Sequence, residues 1–391
     1  MATTPSQLIF FLLALVVLSI PPWSAASPAE LDVVDDHLVR PPSAEETPHW
    51  LSPADALLID RRGIVPDAVV SLDGKGNYTT IAAAVAAAPV RSTRRYIVHV
   101  KAGMYKEYIN ITADVWNIML LGDGMNETII SGNHSNRAGY GTMYSGTVTV
   151  TGKGFIARDL RIENTAGAAN DQAVALMIES NQSVVYRCSL RGYQDTLYAR
   201  SNRQFYRECE ISGTVDFIFG DAAAVFQNCS ILARRPASGQ ANTITAQGRN
   251  SGDSPSGFSF QFCNVAADDE LVHANFTVNT YLGRPWRNYS RVVFMQSFLS
   301  DVVHPDGWLP WDEKAPLDPL YYTKRAKSGP QLSLRSQLNR AEPIREGAKP
   351  QAEPCQLLGF GVQPYLRHKQ GKGKTRPLLC PIKYRRGSVI L

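Results

Sequence analysis

The 391-residue chain is 44% hydrophobic and 19% charged, ordinary values for a folded protein, which exclude a collagenous, coiled-coil or wholly disordered chain. Its formal charge of +5 is unevenly placed: after residue 322 there are 15 Lys and Arg against 3 Asp and Glu, so the first 322 residues carry a net −7. An acidic body lacks the clustered positive surface that nucleic acid requires, and no such partner is expected.

In chain order, residues 1–26 read as a signal peptide. An apolar run over 8–20 is too short to cross a bilayer of about 30 Å as a helix, and the small residues Ser24-Ala25-Ala26 suit cleavage. A secreted, extracellular protein is therefore expected, with no membrane attachment once the signal is removed. Eight Asn-x-Ser/Thr sequons, at Asn77, Asn110, Asn126, Asn133, Asn181, Asn228, Asn275 and Asn288, point to a glycoprotein. Residues 27–66, rich in Pro and acids, read as a short pro-segment or linker. Asp73-Gly-Lys-Gly-Asn77 is a turn cluster, and the Ala-rich stretch 78–88 predicts one helix ended by Pro89. From residue 96 the texture changes to short β-branched runs between Gly and Asn turns, predicting strands over 96–100, 118–121, 147–151, 184–190, 205–211, 225–232 and 258–265. No helical pattern separates them, which disfavours a doubly wound sheet. The strand-rich body spans 67–322, and the basic, Pro-containing remainder, 323–391, reads as a poorly ordered tail.

The runs share a period. Leu160-x-Ile162, Cys188-x-Leu190, Cys209-x-Ile211, Cys229-x-Ile231 and Cys263-x-Val265 repeat one apolar-x-apolar element, and residues two apart face the same side of a strand. The pattern predicts an all-β chain, a right-handed single-stranded parallel β-helix behind a short helical cap, with loop insertions where the spacing lengthens. An antiparallel sandwich with coincidental spacing is the alternative. In a β-helix Cys188 and Cys209 would stack at about 4.8 Å, near enough to bridge.

The same arithmetic picks out polar residues. Asp195 and Asp216 are 21 apart and Gln172 and Gln194 are 22 apart, which would align them as a column. Two carboxylates on adjacent coils repel, so one resists ionisation while the other stays charged, which supplies an acid and a base from one residue type. Glutamine amides beside them offer neutral N–H donors to an oxygen that gains negative charge in acyl transfer. As turn residues the aspartates would be unremarked, but Gly192-Tyr-Gln-Asp-Thr-Leu-Tyr198 and Gly213-Thr-Val-Asp-Phe-Ile-Phe-Gly220 wrap them in apolar and aromatic neighbours. In Leu282-Gly-Arg-Pro-Trp286, Arg284 suits a carboxylate and Trp286 a sugar face, although the same pair could serve a structural ion pair. The near-phosphate loop from Gly146 to Lys153 has one spacer too many, and neither H-E-x-x-H nor G-x-S-x-G occurs.

Gly103-Met-Tyr-Lys-Glu107, Gln172-Ala-Val-Ala-Leu176 and the three motifs around Asp195, Asp216 and Arg284 together resemble the pectinesterases of plant type, in the family's order. The resemblance implies a parallel β-helix and hydrolysis of methyl esters on pectin without metal or cofactor, in the cell wall, by a monomer, with a proteinaceous pectinesterase inhibitor as a further partner. It implies Asp216 as nucleophile, Asp195 as proton donor and acceptor, Gln194 and Gln172 as stabilisers of the oxyanion, and Arg284 holding Asp216. It also implies Thr142, Gln172, Arg284 and Trp286 as substrate-binding residues, and a Cys188–Cys209 disulfide. The resemblance fades after residue 322, which leaves open a non-catalytic, pectin-binding wall protein. A polygalacturonase or a lyase would not call for glutamines in register with the aspartates.

Overall fold

The computed structural model describes residues 47–60, 63–312 and 320–328. The expected signal peptide 1–26, the linker as far as residue 46, the tail from 329 onward, and Cys355 and Cys380 lie outside the described residues.

Strands of three to six residues, too short to stand alone, acquire stability by pairing with their equivalents one coil away. Ser183–Tyr186 and Ser189–Arg191 form two faces of one coil and Leu197–Ala199 the third. The next coil supplies Arg203–Arg207, Glu210–Gly213 and Ile218–Gly220, each parallel to and in register with its predecessor. Continued from Ala68–Val70 to Tyr321–Ser328, this winding makes a parallel β-helix. The apolar column aligns as its spacing required: Ile162, Leu190, Ile211, Ile231 and Val265 are successive register partners, all fully buried. Beside it Tyr206, Phe226, Phe260 and Phe294 stack ring on ring at 4.6, 4.5 and 4.3 Å, and each such contact adds about 0.5–1.5 kcal/mol to the burial itself.

Four of the expected strands are each divided in two. The runs 184–190, 205–211, 225–232 and 258–265 bend at Arg187, Glu208, Asn228 and Phe262, whose φ angles of 48°, 53°, 55° and 55° are left-handed. A corner between two faces needs that backbone state, and only Asn among these four adopts it readily, so residue type did not mark the bends. The expected helix over 78–88 shortens to Ile81–Ala86. Its predicted first turn is committed elsewhere, because Tyr78 exchanges main-chain hydrogen bonds with Val69 and Ser71 and the Asn77 Oδ1 accepts from the Val69 N–H. Ile81, Ala84 and Val85 then close the core's first end.

Glu107, in the first of the resemblance motifs, has a structural duty. Its carboxylate accepts from the N–H groups of Ile81 and Ala82, both at 3.0 Å, which satisfies two free donors where the helix dipole is positive. Glu107→Ala is expected to cost about 1–2 kcal/mol, seen as a lower urea midpoint with an unchanged slope.

The stretch expected to be a linker includes a docked element, the helix Pro53–Asp60. Proline at its first position has no N–H to lose there, and Ser52 Oγ accepts from Asp55 N–H at 3.0 Å. Ile59 is buried against an outer apolar face made by Ile97, Met119, Ile156, Val184 and Phe205. Arg95 binds Asp55 at 2.7 Å, and Arg158 donates to the Leu58 carbonyl at 2.7 Å. At the other end the strand Tyr321–Ser328 pairs with Arg291–Leu299 and crosses the boundary expected at 322.

Cys188, Cys209, Cys229 and Cys263 do stack on successive coils, but the expected Cys188–Cys209 bridge is not formed, and all four are free and buried. Their sulfurs are engaged with main-chain carbonyls instead, Cys188 with Tyr186 at 3.3 Å and Cys209 with Val185 and Arg207 at 3.3 Å each. Burial pushes the Cys188 thiol up to about 12, which keeps it protonated and unreactive.

Candidate active site

Asp195 and Asp216 lie two residues before the register partners Leu197 and Ile218, so the 21-residue spacing sets them on adjacent coils. The Asp195 N–H donates to the Val215 carbonyl at 3.0 Å, which locks the two turns together. Both aspartates take left-handed φ angles, 64° and 51°. For residues with a Cβ that conformation is costly, and it persists only where the surroundings impose it.

The two aspartates are only 7% and 6% exposed, and their partners differ. Asp216 receives a guanidinium fork, Arg284 Nε to Oδ1 at 2.8 Å and Nη2 to Oδ2 at 2.6 Å. The Thr243 hydroxyl donates to the same Oδ1 at 2.7 Å while accepting from the Asp216 N–H at 2.9 Å. These charge-assisted bonds suit a carboxylate whose lone pairs face donors. Among the described residues Asp195 has no such clamp. Burial, and then the charge of Asp216, push its carboxyl well above the usual carboxylate range, against a smaller opposing pull from Arg284. The pair is therefore unequal: Asp216 is gripped by directed donors, and burial beside it favours the protonated form of Asp195.

Arg284 arrives through close strand approach. Thr280–Pro285 pairs with Asn242–Gln247, and a Cβ on Gly283 would fall 1.9 Å from Thr245 Oγ1, so only glycine admits this spacing. The guanidinium carbon of Arg284 also lies 4.5 Å from the ring centre of Trp311.

Gln172 and Gln194 are half-buried on neighbouring coils, joined by the Ala173 N–H to Gln194 carbonyl bond at 3.1 Å. Among the described residues neither side-chain amide is engaged by a protein partner, so their N–H donors are unspent there. Thr142 opens a single turn, Thr142–Tyr144, and is half-buried. Its neighbour Met143 packs with Tyr198 and Trp286 on a patch built on Val174, Met177, Phe219 and Ala246, separate from the interior core. In that patch Tyr198 and Phe219 stack at 4.2 Å and Trp286 meets Phe219 edge-on at 6.1 Å. Of the expected substrate residues Trp286 lies in this patch, and Thr142 is the chain neighbour of its Met143.

Sequence reasoning missed Thr243, Tyr198, Phe219 and Trp311. Tyr198 and Phe219 share the 21-residue spacing of the aspartates and could have been found by it. Thr243 is displaced from that spacing by a loop insertion, and nothing marked it.

The pectinesterase family model matches residues 67–369, running past residue 322 into the basic segment. A pectinesterase/pectinesterase inhibitor of Prunus persica, PPE8B, is 52% identical over 294 residues, 75% of this chain and 56% of that protein. The probable pectinesterase/pectinesterase inhibitor 32 of Arabidopsis thaliana is 54% identical over 288 residues, 73% of this chain and 55% of that protein. The chain thus spans about half the length of these relatives. Among solved structures, pectin methylesterase from carrot superposes with a TM-score of 0.67 at 48% identity, covering 69% of this chain and 84% of its own. The Aspergillus niger pectin methylesterase gives 0.64 at 29% identity, covering 76% and 96%.

Proposed function

The chain belongs to the pectinesterase family, and on that premise we propose that it hydrolyses methyl esters of polygalacturonan to carboxylate and methanol. The observation that carries the proposal is the unequal pair: an aspartate gripped by a guanidinium beside a buried aspartate without such a grip among the described residues, whose burial favours its protonated form.

An Asp216 oxygen attacks the ester carbonyl carbon, and negative charge gathers on the carbonyl oxygen. The amide N–H groups of Gln172 and Gln194 receive that charge. As the tetrahedral species collapses, the bond to the methoxy oxygen breaks and Asp195 delivers its proton there, releasing methanol and leaving an acyl group on Asp216. Water enters, the Asp195 carboxylate takes one of its protons, and the hydroxide so formed attacks the acyl carbon. The second tetrahedral species collapses with cleavage of the bond to the Asp216 oxygen, the product acid gives its proton to solvent as it leaves as a carboxylate, and both aspartates return to their starting states. Arg284 keeps Asp216 aimed throughout, and the half-buried Trp286 and Tyr198, backed by the buried Phe219, offer apolar faces for neighbouring sugar rings.

The same reading places the protein outside the cell, acting on wall pectin as a monomer, with a proteinaceous inhibitor as a further partner. Seven of the eight sequon asparagines are exposed and Asn181 is half-buried, which supports glycosylation on secretion.

Methanol release from methyl-esterified pectin tests the activity. Gln194→Ala should lower kcat by about 100 to 1000-fold, as loss of one oxyanion donor does, with an unchanged melting temperature. A non-catalytic wall protein would bind the polymer and release no methanol in either form.

A further inference from the structure

Arg234 is only 4% exposed, follows the strand Ser230–Ala233, and has no place in the chemistry above. Its guanidinium donates to the segment that leads to Gln194 and Asp195 and to the start of the helix Asp269–Val272. Nη1 donates to the Gly192 carbonyl at 2.8 Å and Nη2 to the Tyr193 hydroxyl at 2.9 Å. The same guanidinium lies flat on the Tyr193 ring, 3.9 Å from its centre. Nε reaches Asp268 at 3.2 Å, and Nη2 also binds Glu270, so two carboxylates, one capping the helix Asp269–Val272 and one in its first turn, neutralise it. The Arg234 N–H meanwhile donates to the Gly213 carbonyl at 2.8 Å, at the start of the turn that carries Asp216.

We propose that Arg234 is a positioning residue that fixes the Asp195 turn relative to the Asp216 turn; the inference rests on the catalytic roles proposed above. The strained turn is already held on its far side, where Asp195 donates to Val215 and the Thr196 hydroxyl donates to Ser212 and Tyr193. Arg234 supplies the near-side hold. A buried cation with two anions contributes little stability compared with an apolar cluster of the same volume, whereas a planar fork with four directed contacts defines geometry closely. Lysine retains the charge and cannot reproduce that fork.

The experiment is Arg234→Lys assayed by methanol release across pH, beside Arg158→Lys, which disturbs a buried arginine remote from the site. A displacement of about 1 Å at the reacting groups costs roughly 100-fold, so a fall in kcat of that order with little change in KM is expected. The alkaline limb of the rate profile should also move to lower pH. Asp195 is faced by Asp216 from the next coil, Arg284 from Thr280–Pro285 and Tyr198 from its own coil, and loosening its turn relaxes the burial and the repulsion that favour its proton. Arg158→Lys should lower the melting temperature and move neither kcat nor the pH profile. If Arg234→Lys behaves as Arg158→Lys does, the proposal is overturned. Should Arg234→Lys fail to fold, Tyr193→Phe carries the test: a loss of about 3 to 10-fold in kcat with the same pH displacement supports the proposal, and an unchanged profile overturns it. Activity retained by Asp195→Asn and Asp216→Asn would instead remove the underlying catalytic reading, whatever Arg234 does.

Discussion

Asp216→Asn should reduce methanol release by about 10⁴ to 10⁶-fold, the scale on which covalent hydrolases lose activity with their nucleophile, while the protein stays folded. The substitution is nearly isosteric. Asparagine Oδ1 can still accept from Arg284 Nε and from the Thr243 hydroxyl, so the bonds at 2.8 and 2.7 Å keep a partner that holds the turn, while the Arg284 Nη2 bond to Oδ2 is lost because an amide NH2 cannot accept. What is lost is the anion, and with it both the attacking electron pair and the charge that helps Asp195 hold its proton. Because burial outranks Asp216 among the causes of that shift, the Asp195 carboxyl should move down only part of the way, still above an ordinary carboxylate. Carbon-13 titration of the Asp195 carboxyl in the Asp216→Asn protein reads this directly. A variant that turned over at more than a hundredth of the parent rate would remove Asp216 from the nucleophile's role.

The aspartate column was legible because the coil length in this part of the chain is constant. From Cys188 to Cys209, from Leu197 to Ile218 and from Asp195 to Asp216 the step is 21 residues, so simple subtraction finds register partners. Where an insertion lengthens a coil, subtraction fails. Thr243 lies 27 residues beyond Asp216 because the segment after Ala233 bulges out before Asn242–Gln247 begins, and Arg284 lies 68 beyond it. Arg284 was found by its motif, Thr243 not at all. The corner residues were hidden for a different reason. A left-handed bend inside a parallel stack is imposed by neighbouring coils, and Arg187, Glu208 and Phe262 have no local preference for it. The docked helix Pro53–Asp60 was obscured by its prolines, which signal interruption in a sequence, although Pro53 stands at the one helical position that tolerates it. The thiol column shows the limit of spacing arguments: adjacency was foreseen correctly, and the chemical state of the sulfurs was not.

Asp195→Asn should combine lost activity with gained stability, and the two effects have one cause. As acid and then base, a single group of this kind contributes about 100 to 10,000-fold, and methanol release should fall by that amount. For stability the sign follows from proton binding. The native carboxyl is raised above its unfolded value, so between those two values the native state holds more protons than the unfolded chain, and stability falls as pH rises through that window. Below the ordinary carboxylate range both states are protonated and the penalty vanishes; above the native value it is fully present. Asparagine, uncharged at every pH, avoids the penalty, so the variant should melt higher than the parent at neutral pH and the difference should shrink as pH approaches 4. The parent's kcat/KM should decline through the native value, since only the protonated form can serve departing methanol. Site and fold are then in opposition at this one side chain: the same burial that keeps a proton available for the leaving group holds the resting protein below the stability its β-helix could otherwise reach. Melting curves of the two proteins that stay parallel from pH 4 to pH 8 would show that Asp195 carries no such strain, and the acid role would lose its physical basis.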